Sequence, residues 1–520
     1  MNEYIKKNIS KIISVFLLIQ PFIDLITGVC IHTFNLNLTF GIIIRILFLI
    51  FICYIVIFTF KKKNILIPYL IIGLYFIFYI IGTLLYKDSS YFFEIQNIVK
   101  VFYFPILFVS LYAIKDNIRI SNLTLFTVIF FYLILIFIPT VLGIGYKSYE
   151  ITKAGTLGFF NSANEISGII SILTPILFII FYESKKIIPI VILSIMYLIV
   201  ILMMGTKTPL LSLGITLFVS IIFFGIKLLK AKKYKQVFIS LIIILLGCLS
   251  LLLIIPKTNF YKNIRTHLDF LGLESITDVF KDEKLIDHFI FSSRLKFLSK
   301  KSKIYNKSNI YQKTFGIGYI NNNKTTKMIE MDYFDIFYSH GVIGFIIFFI
   351  ITLYILYKIL EKKKKTNYQD CMLHTSLILI LFLSFFTGHI IISPSVSSLC
   401  IILILSLSKR NKTDILFVYE DNKKLLNEID FNKYNVTTIL EKDNKSLDKE
   451  IIIYKYNINN NNKLLYNIRL LNYKIFNYHN YDYSLYNKKD NNIKELASVS
   501  SINNIYYDKN KIGSIETIIK

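Results

Sequence analysis

The chain has 520 residues, 54% of them hydrophobic, a mean hydropathy of +0.57 and a formal net charge of +26. Soluble domains average about 45–50% apolar; here the excess gathers in runs of about 17–25 residues, the length that crosses a hydrocarbon core about 30 Å thick. That excludes a soluble globular enzyme, and it turns the positive charge from a nucleic-acid signal into one of membrane orientation.

In chain order the apolar runs predict an all-α polytopic membrane protein with about 12 transmembrane helices. They fall roughly at 10–30, 38–60, 64–86, 101–114, 121–145, 164–182, 187–203, 209–229, 237–255, 333–357, 373–391 and 396–408. Each must be helical, because backbone polar groups in lipid need partners within their own segment. The first run reads as a span and not a cleaved signal, since no small-residue cleavage site follows it. One large loop, 256–332, separates the ninth and tenth spans.

Orientation follows from lysine and arginine. With a cytoplasmic N-terminus, the inside segments collect Lys6, Lys7 and Lys11, Lys61–Lys63, Lys227–Lys235, Lys362–Lys365 and Lys409–Lys412. The short outside loops hold only Lys87, Lys100, Lys147, Lys153 and Lys207. Positive-inside bias therefore predicts both termini in the cytoplasm and the large loop outside.

Residues 1–410 form the predicted membrane domain, and 411–520 a polar tail rich in Asn, Lys and Tyr. In the tail, "DILFVYE" (414–420), "NVTTIL" (435–440) and "KEIIIYKY" (449–456) read as strands, and "KLLYNIRLLNYKIF" (463–476) has helical spacing. The tail is expected to be a small cytoplasmic α/β-like domain. The five cysteines, Cys30, Cys53, Cys248, Cys371 and Cys400, lie in or beside apolar runs and show neither a disulfide framework nor metal spacing.

The unusual polar clusters fall on the predicted outer side: "GTLGFFNSANEISGII" (155–170), "MMGTKTPLL" (203–211), "FSSRLKFLSKKSKIYNKSNIYQKTFGIGY" (291–319), the acids of "MIEMDYFDIFYSHGVIGFIIFF" (328–349) and "FTGHIIISPSVSS" (386–398). Polar groups at membrane depth are costly and mark function. Glu330, Asp332 and Asp335 precede a helix, whose N-terminal dipole also favours anions, so capping alone accounts for one of them. Asp24 and Arg45 lie at similar depth on consecutive spans, which suggests an ion pair; the alternative is that Arg45 faces an anionic substrate.

The order of these elements resembles the O-antigen ligase and polymerase family, the membrane enzymes that handle polyprenyl-diphosphate-linked sugars. "GFFNSANE", a "GTKT" turn, a long loop with Ser293-Arg294 and Gly316-Ile317-Gly318, and "GVIG" opening the next span carry the resemblance over roughly 10–408. It implies Arg294, Glu330, Asp332 and His389 as catalytic, and Lys207, Arg45, Asn161, Asn164, Glu165, Gly316 and Gly318 as substrate-binding. It implies no metal and no cofactor. Many relatives carry His-Asn where this chain has Glu330-Met331-Asp332, so a carboxylate would take the place of a histidine base; Glu-x-Asp with a late Gly388-His389 is closer to a polymerase-like subgroup.

The implied activity is polymerisation of lipid-linked oligosaccharide repeats at the outer face of the cytoplasmic membrane. A ligase moving a glycan to another acceptor and a flippase for the lipid-linked unit are the alternatives. The flippase lacks support from internal repeats or mid-membrane polar sites. The expected partners are the lipid-linked glycan, membrane lipids and other polysaccharide-assembly proteins, and not nucleic acid.

Overall fold

The computed structural model describes residues 2–34, 40–86, 91–118, 120–148, 155–184, 186–232, 234–236, 253, 255–321, 324–325, 328–361 and 367–410, and eight strands between 414 and 513. Met1–Ser408 and Lys409–Lys520 are two separate compact units.

The first unit is helical: α1 (Asn2–Phe34), α2 (Phe40–Tyr54), α3 (Leu66–Tyr86), α4 (Tyr91–Ala113), α5 (Asn122–Leu142), α6 (Ala163–Glu183), α7 (Ile187–Met204) and α8 (Lys207–Lys230). Four shorter helices follow, α9 (Asn259–Phe270), α10 (Glu283–Ile290), α11 (Arg294–Lys307) and α12 (Ile310–Phe315), then the two-residue strands β1 (Ile320–Asn321) and β2 (Lys324–Thr325). The unit closes with α13 (Asp332–Leu360), α14 (Tyr368–Phe386) and α15 (Pro394–Arg410). Among the described residues, 10 helices are long and apolar enough to cross a membrane, and Pro394–Ser406 is a shorter apolar helix. The chain is a multi-pass integral membrane protein.

The predicted spans differ from these helices in two places, and a third span lies outside the described residues. The expected ninth span, 237–255, lies outside the described residues except at Leu253 and Ile255. The fourth begins at Tyr91 and not near 101, because Glu94, whose charge argues against a span, is buried inside the bundle. Tyr79 Oη donates to Glu94 Oε2 at 2.7 Å, and the Tyr319 amide donates to Glu94 Oε1 at 2.9 Å. The last expected span is the short helix α15, whose residues Val396–Leu405 are buried by neighbouring helices.

Helix α6 is buried on all sides from Ile166 to Leu177, and the polar side chains in that stretch are the small hydroxyls Ser167, Ser171 and Thr174. It packs against α5, α8 and α14 and forms the centre of the unit. The loop between the eighth and tenth predicted spans is itself folded. Leu268, Val279 and Phe289 form a small core of their own, covered by Ile264, Leu271, Leu273, Leu285 and Ile286.

Helix α13 is split at Gly341, whose φ of 68° and ψ of −171° break the helix. A side chain there would place its Cβ 2.4 Å from the Thr314 carbonyl oxygen, so the kink needs glycine. The piece after the kink, 342–360, is about 28 Å long at about 1.5 Å per residue, close to the thickness of a hydrocarbon core. The acidic piece, Asp332–His340, is therefore not needed to span and lies at the end of the bundle.

In the tail the described residues are strands only: β3 (Asp414–Glu420), β4 (Thr437–Leu440), β5 (Ile451–Asn457), β6 (Ile475–His479), β7 (Asp482–Asn487), β8 (Lys494–Ser501), β9 (Asn504–Tyr507) and β10 (Asn510–Gly513). They form one antiparallel sheet in the order β10-β9-β8-β7-β6-β3-β5-β4. Of the helix expected at 463–476, residues 463–474 lie outside the described ones. Ile475 and Phe476 belong to β6, as their β-branched and aromatic character favours.

Candidate functional site

Three segments meet at the acidic end of α13: the start of α11, residues 329–335, and the turn between α14 and α15. Helix α11 opens on Ser292 and Ser293, both left-handed (φ 52° and 63°), and Ser293 makes no side-chain cap. The cap comes from α10 instead. Asp287 Oδ1 accepts from the Leu295 amide at 2.9 Å, and Oδ2 from the Lys296 amide at 3.0 Å. Asp287 thus fixes the helix end that carries Arg294.

Arg294 is buried, with 9% of its surface exposed. Its Nη1 donates to the Phe386 carbonyl at 3.3 Å and its Nη2 to Glu330 Oε2 at 3.4 Å. Its Nε has no partner among the described residues. A buried guanidinium with an unused donor and one long ionic contact has capacity for an anion.

The two aspartates have different duties from Glu330. Asp332 is fully buried and accepts three main-chain amides: His389 at 2.6 Å on Oδ1, and Ile390 at 2.9 Å and Ile391 at 2.8 Å on Oδ2. Asp335 accepts the amides of Ile329 at 3.0 Å, Glu330 at 2.8 Å and Met331 at 3.3 Å. Lys301 Nζ, buried on α11, sits 3.2 Å from Asp335 Oδ1 and donates to Ser339 Oγ at 2.7 Å. Asp332, expected from the sequence to be catalytic, therefore has both oxygens occupied by the backbone it organises. Asp335, in the first turn of α13, folds the preceding segment back onto the helix, whose N-cap residue Met331 makes no side-chain cap.

These two grips bring Glu330 and His389 side by side. Glu330 has a left-handed φ of 64°, and its side chain is 30% exposed. Gly388 lies against its carbonyl: a Cβ at Gly388 would come within 2.4 Å of the Glu330 oxygen. His389, also left-handed at φ 59°, follows. Burial holds the His389 imidazole below its usual pKa, against the opposing pull of the Glu165 and Glu330 carboxylates.

Helix α6 supplies the other wall. Its N-terminus is capped by Ser162, whose Oγ accepts the Glu165 amide at 3.4 Å. Glu165 Oε2 accepts from Ser395 Oγ at 3.3 Å, and its charge acts on His389 together with that of Lys100. Asn161 and Asn164 are exposed beside the cap.

Other expected site residues make their direct contacts elsewhere. Lys207, the first residue of α8, donates through Nζ to the Phe289 carbonyl and lies 4.5 Å over the Phe289 ring. Its contact is with the folded loop, although its charge reaches Arg294 and His267. His267 faces His288 at 3.0 Å, and burial, Lys207 and His288 push its pKa down to about 4. Arg45 is paired with Asp24 at 2.6 Å, and Tyr132 Oη donates to the other oxygen of Asp24 at 2.6 Å. The Gly316–Gly318 stretch packs on the kink of α13, where the Ile317 and Gly318 amides donate to the Tyr338 and Ser339 carbonyls at 3.1 and 3.0 Å.

Sequence reasoning missed Asp287, Lys301 and Lys100. Lys301 had a signal: it follows Arg294 by seven residues, which puts both on one face of the helix. A second buried network was also missed. His340 bridges Tyr319 Oη (2.8 Å from Nε2) and Tyr75 Oη (3.2 Å from Nδ1), and Tyr319 leads to Glu94. No three described His, Cys, Asp or Glu side chains converge as metal ligands.

The fold and this site define a multi-pass membrane protein with a cluster of charged side chains at one end of its helical bundle. Two overlapping stretches, residues 6–288 and 274–409, match the model of the O-antigen ligase-like membrane proteins. The chain belongs to that family, which implies a glycosyl-transferring enzyme. No curated protein matches the chain.

Proposed function

We propose that the chain polymerises polyprenyl-diphosphate-linked oligosaccharide repeats at the outer face of the cytoplasmic membrane. Both termini are then cytoplasmic, an orientation supported by the lysine and arginine bias of the short loops. The observation that carries the reading is the contact between Arg294 and Glu330: a buried guanidinium with a spare donor beside the one carboxylate of the acidic segment that is partly exposed.

In the reaction the acceptor hydroxyl oxygen bonds to the anomeric carbon of the donor sugar, and the bond from that carbon to the diphosphate oxygen breaks. Glu330 takes the hydroxyl proton as general base. Arg294 meets the charge that develops on the leaving polyprenyl diphosphate, and its planar fork suits phosphate oxygens. Lys207 adds positive potential from the loop side. Neutral His389 orients the acceptor hydroxyl next to Glu330, and Asn161, Asn164 and Glu165 face the sugar from α6. Asp332 serves this site through the backbone of His389 and not as a base.

Glycan profiling of cells carrying Arg294→Ala tests the reading. Long polymer should disappear while single repeat units remain attached. Unchanged polymer length would discard the assignment; complete polymer left on its lipid carrier would make the enzyme a ligase.

A further inference from the structure

Helix α11 has two chemically opposite uses of positive charge. Arg294 and Lys301 lie on its buried face with Tyr305, docked on α13 and paired with Glu330 and Asp335. At about 100° per residue the opposite face carries Lys296, Lys300, Lys303 and Lys307, all exposed. None of these four enters an ion pair among the described residues. The helix has no acidic residue, whereas the preceding 259–290 stretch has Asp269, Glu274, Asp278, Asp282, Glu283 and Asp287.

Like charges three or four residues apart weaken a helix. Here Lys296–Lys300, Lys300–Lys303 and Lys303–Lys307 repel in sequence. They form a row about 16 Å long that starts two residues beyond Arg294. Such a row attracts a ligand with repeated negative charge.

Two polyanions meet a membrane enzyme: headgroups and glycans. An interfacial helix that binds headgroups keeps apolar side chains in the acyl boundary beside its lysines. On α11 the apolar residues beside the lysine row are Ile304 and Phe297, both partly covered, and Leu295, 41% exposed, which leaves little apolar surface for an acyl boundary. The lysines point away from the bundle.

We infer that the exposed lysine face of α11 binds an acidic glycan, one bearing carboxylate or phosphate groups in its repeats, and guides it past Arg294. The choice of glycan rests on the transfer reaction proposed above; the polyanion site itself does not.

The test uses the full chain in phosphatidylcholine nanodiscs, with an oligogalacturonate as probe and a neutral maltooligosaccharide of equal length as control. The acidic probe should bind preferentially and weaken with rising salt. Changing Lys296, Lys300, Lys303 and Lys307 together to Gln should weaken it roughly tenfold, as the loss of four screened contacts. Changing all four to Arg should preserve binding, which separates lost charge from lost folding. In cells, the Gln set should shorten the polymer while the first linkage still forms. Equal binding of both probes, or equal binding by the Gln set and the natural chain, overturns the inference. So does an effect of the Gln set confined to phosphatidylglycerol vesicles, which would make the ligand a headgroup. Loss of acidic-probe binding in the Gln set, with unchanged glycan in Arg294→Ala, would sustain the polyanion face and sink the polymerase reading alone.

Discussion

Asp332 Oδ1 accepts the main-chain amide of His389 at 2.6 Å, and its other oxygen accepts the next two amides. One buried carboxylate thereby ties the start of α13 to the turn before α15. Asp332→Asn replaces one acceptor oxygen with an NH2 group that faces an N–H. Each amide left without an acceptor costs about 1–3 kcal/mol. We expect a lower unfolding temperature in detergent and a loss of turnover, with donor affinity little changed because Arg294 is untouched. Native stability in the variant would remove Asp332 from its organising role.

Glu330 competes for Arg294 in the absence of substrate. A diphosphate that takes over the guanidinium also frees the carboxylate to accept a proton. Glu330→Gln should therefore separate two properties. Transfer should fall by about 10²–10⁴, the usual contribution of a general base. Binding of inorganic pyrophosphate to the purified protein should tighten, since the competing charge is gone. Weakened pyrophosphate binding would mean that Glu330 helps to build the anion site and does not compete with it.

The depressed pKa of His389 sets a pH dependence. Neutral at pH 7, the ring gains a proton only below the usual histidine value of about 6.5. The unfolded chain binds that proton more readily than the folded one, so stability declines as pH falls from about 6.5 toward the depressed value. If the neutral ring orients the acceptor, turnover declines over the same window. His389→Gln should flatten this acid limb in a pH–rate profile; an unchanged limb would assign it to another group.

The membrane class and ten of the spans are legible in the sequence because they rest on local periodicity, and short motifs single out Ser293-Arg294 and Glu330 as the candidates carried into the proposal. The roles of the acids were hidden by chain distance. Glu330 and Asp332 are two residues apart, yet one meets an arginine on α11 and the other meets amides 57 to 59 residues downstream. The true start of α4 was hidden for the same reason, since the amide that allows Glu94 to be buried belongs to Tyr319, 225 residues away. Lys301 looked like one lysine among many until the fold placed it against Asp335.

Arg45 gives a separate test of structure against binding. It is 3% exposed and pairs with Asp24, which Tyr132 also contacts. Removing one partner of a buried pair leaves the other charge uncompensated, at a cost of about 3–5 kcal/mol. Arg45→Ala should therefore reduce folded protein in membranes and lower its unfolding temperature. Exchanging the two residues, Asp24→Arg with Arg45→Asp, should recover much of the loss, because the pair is re-formed in the same place. The measurement is the yield and melting temperature of the single and double variants. If Arg45→Ala folds normally but binds pyrophosphate poorly, the pair is not what Arg45 is for, and the residue belongs with Arg294 in the donor site.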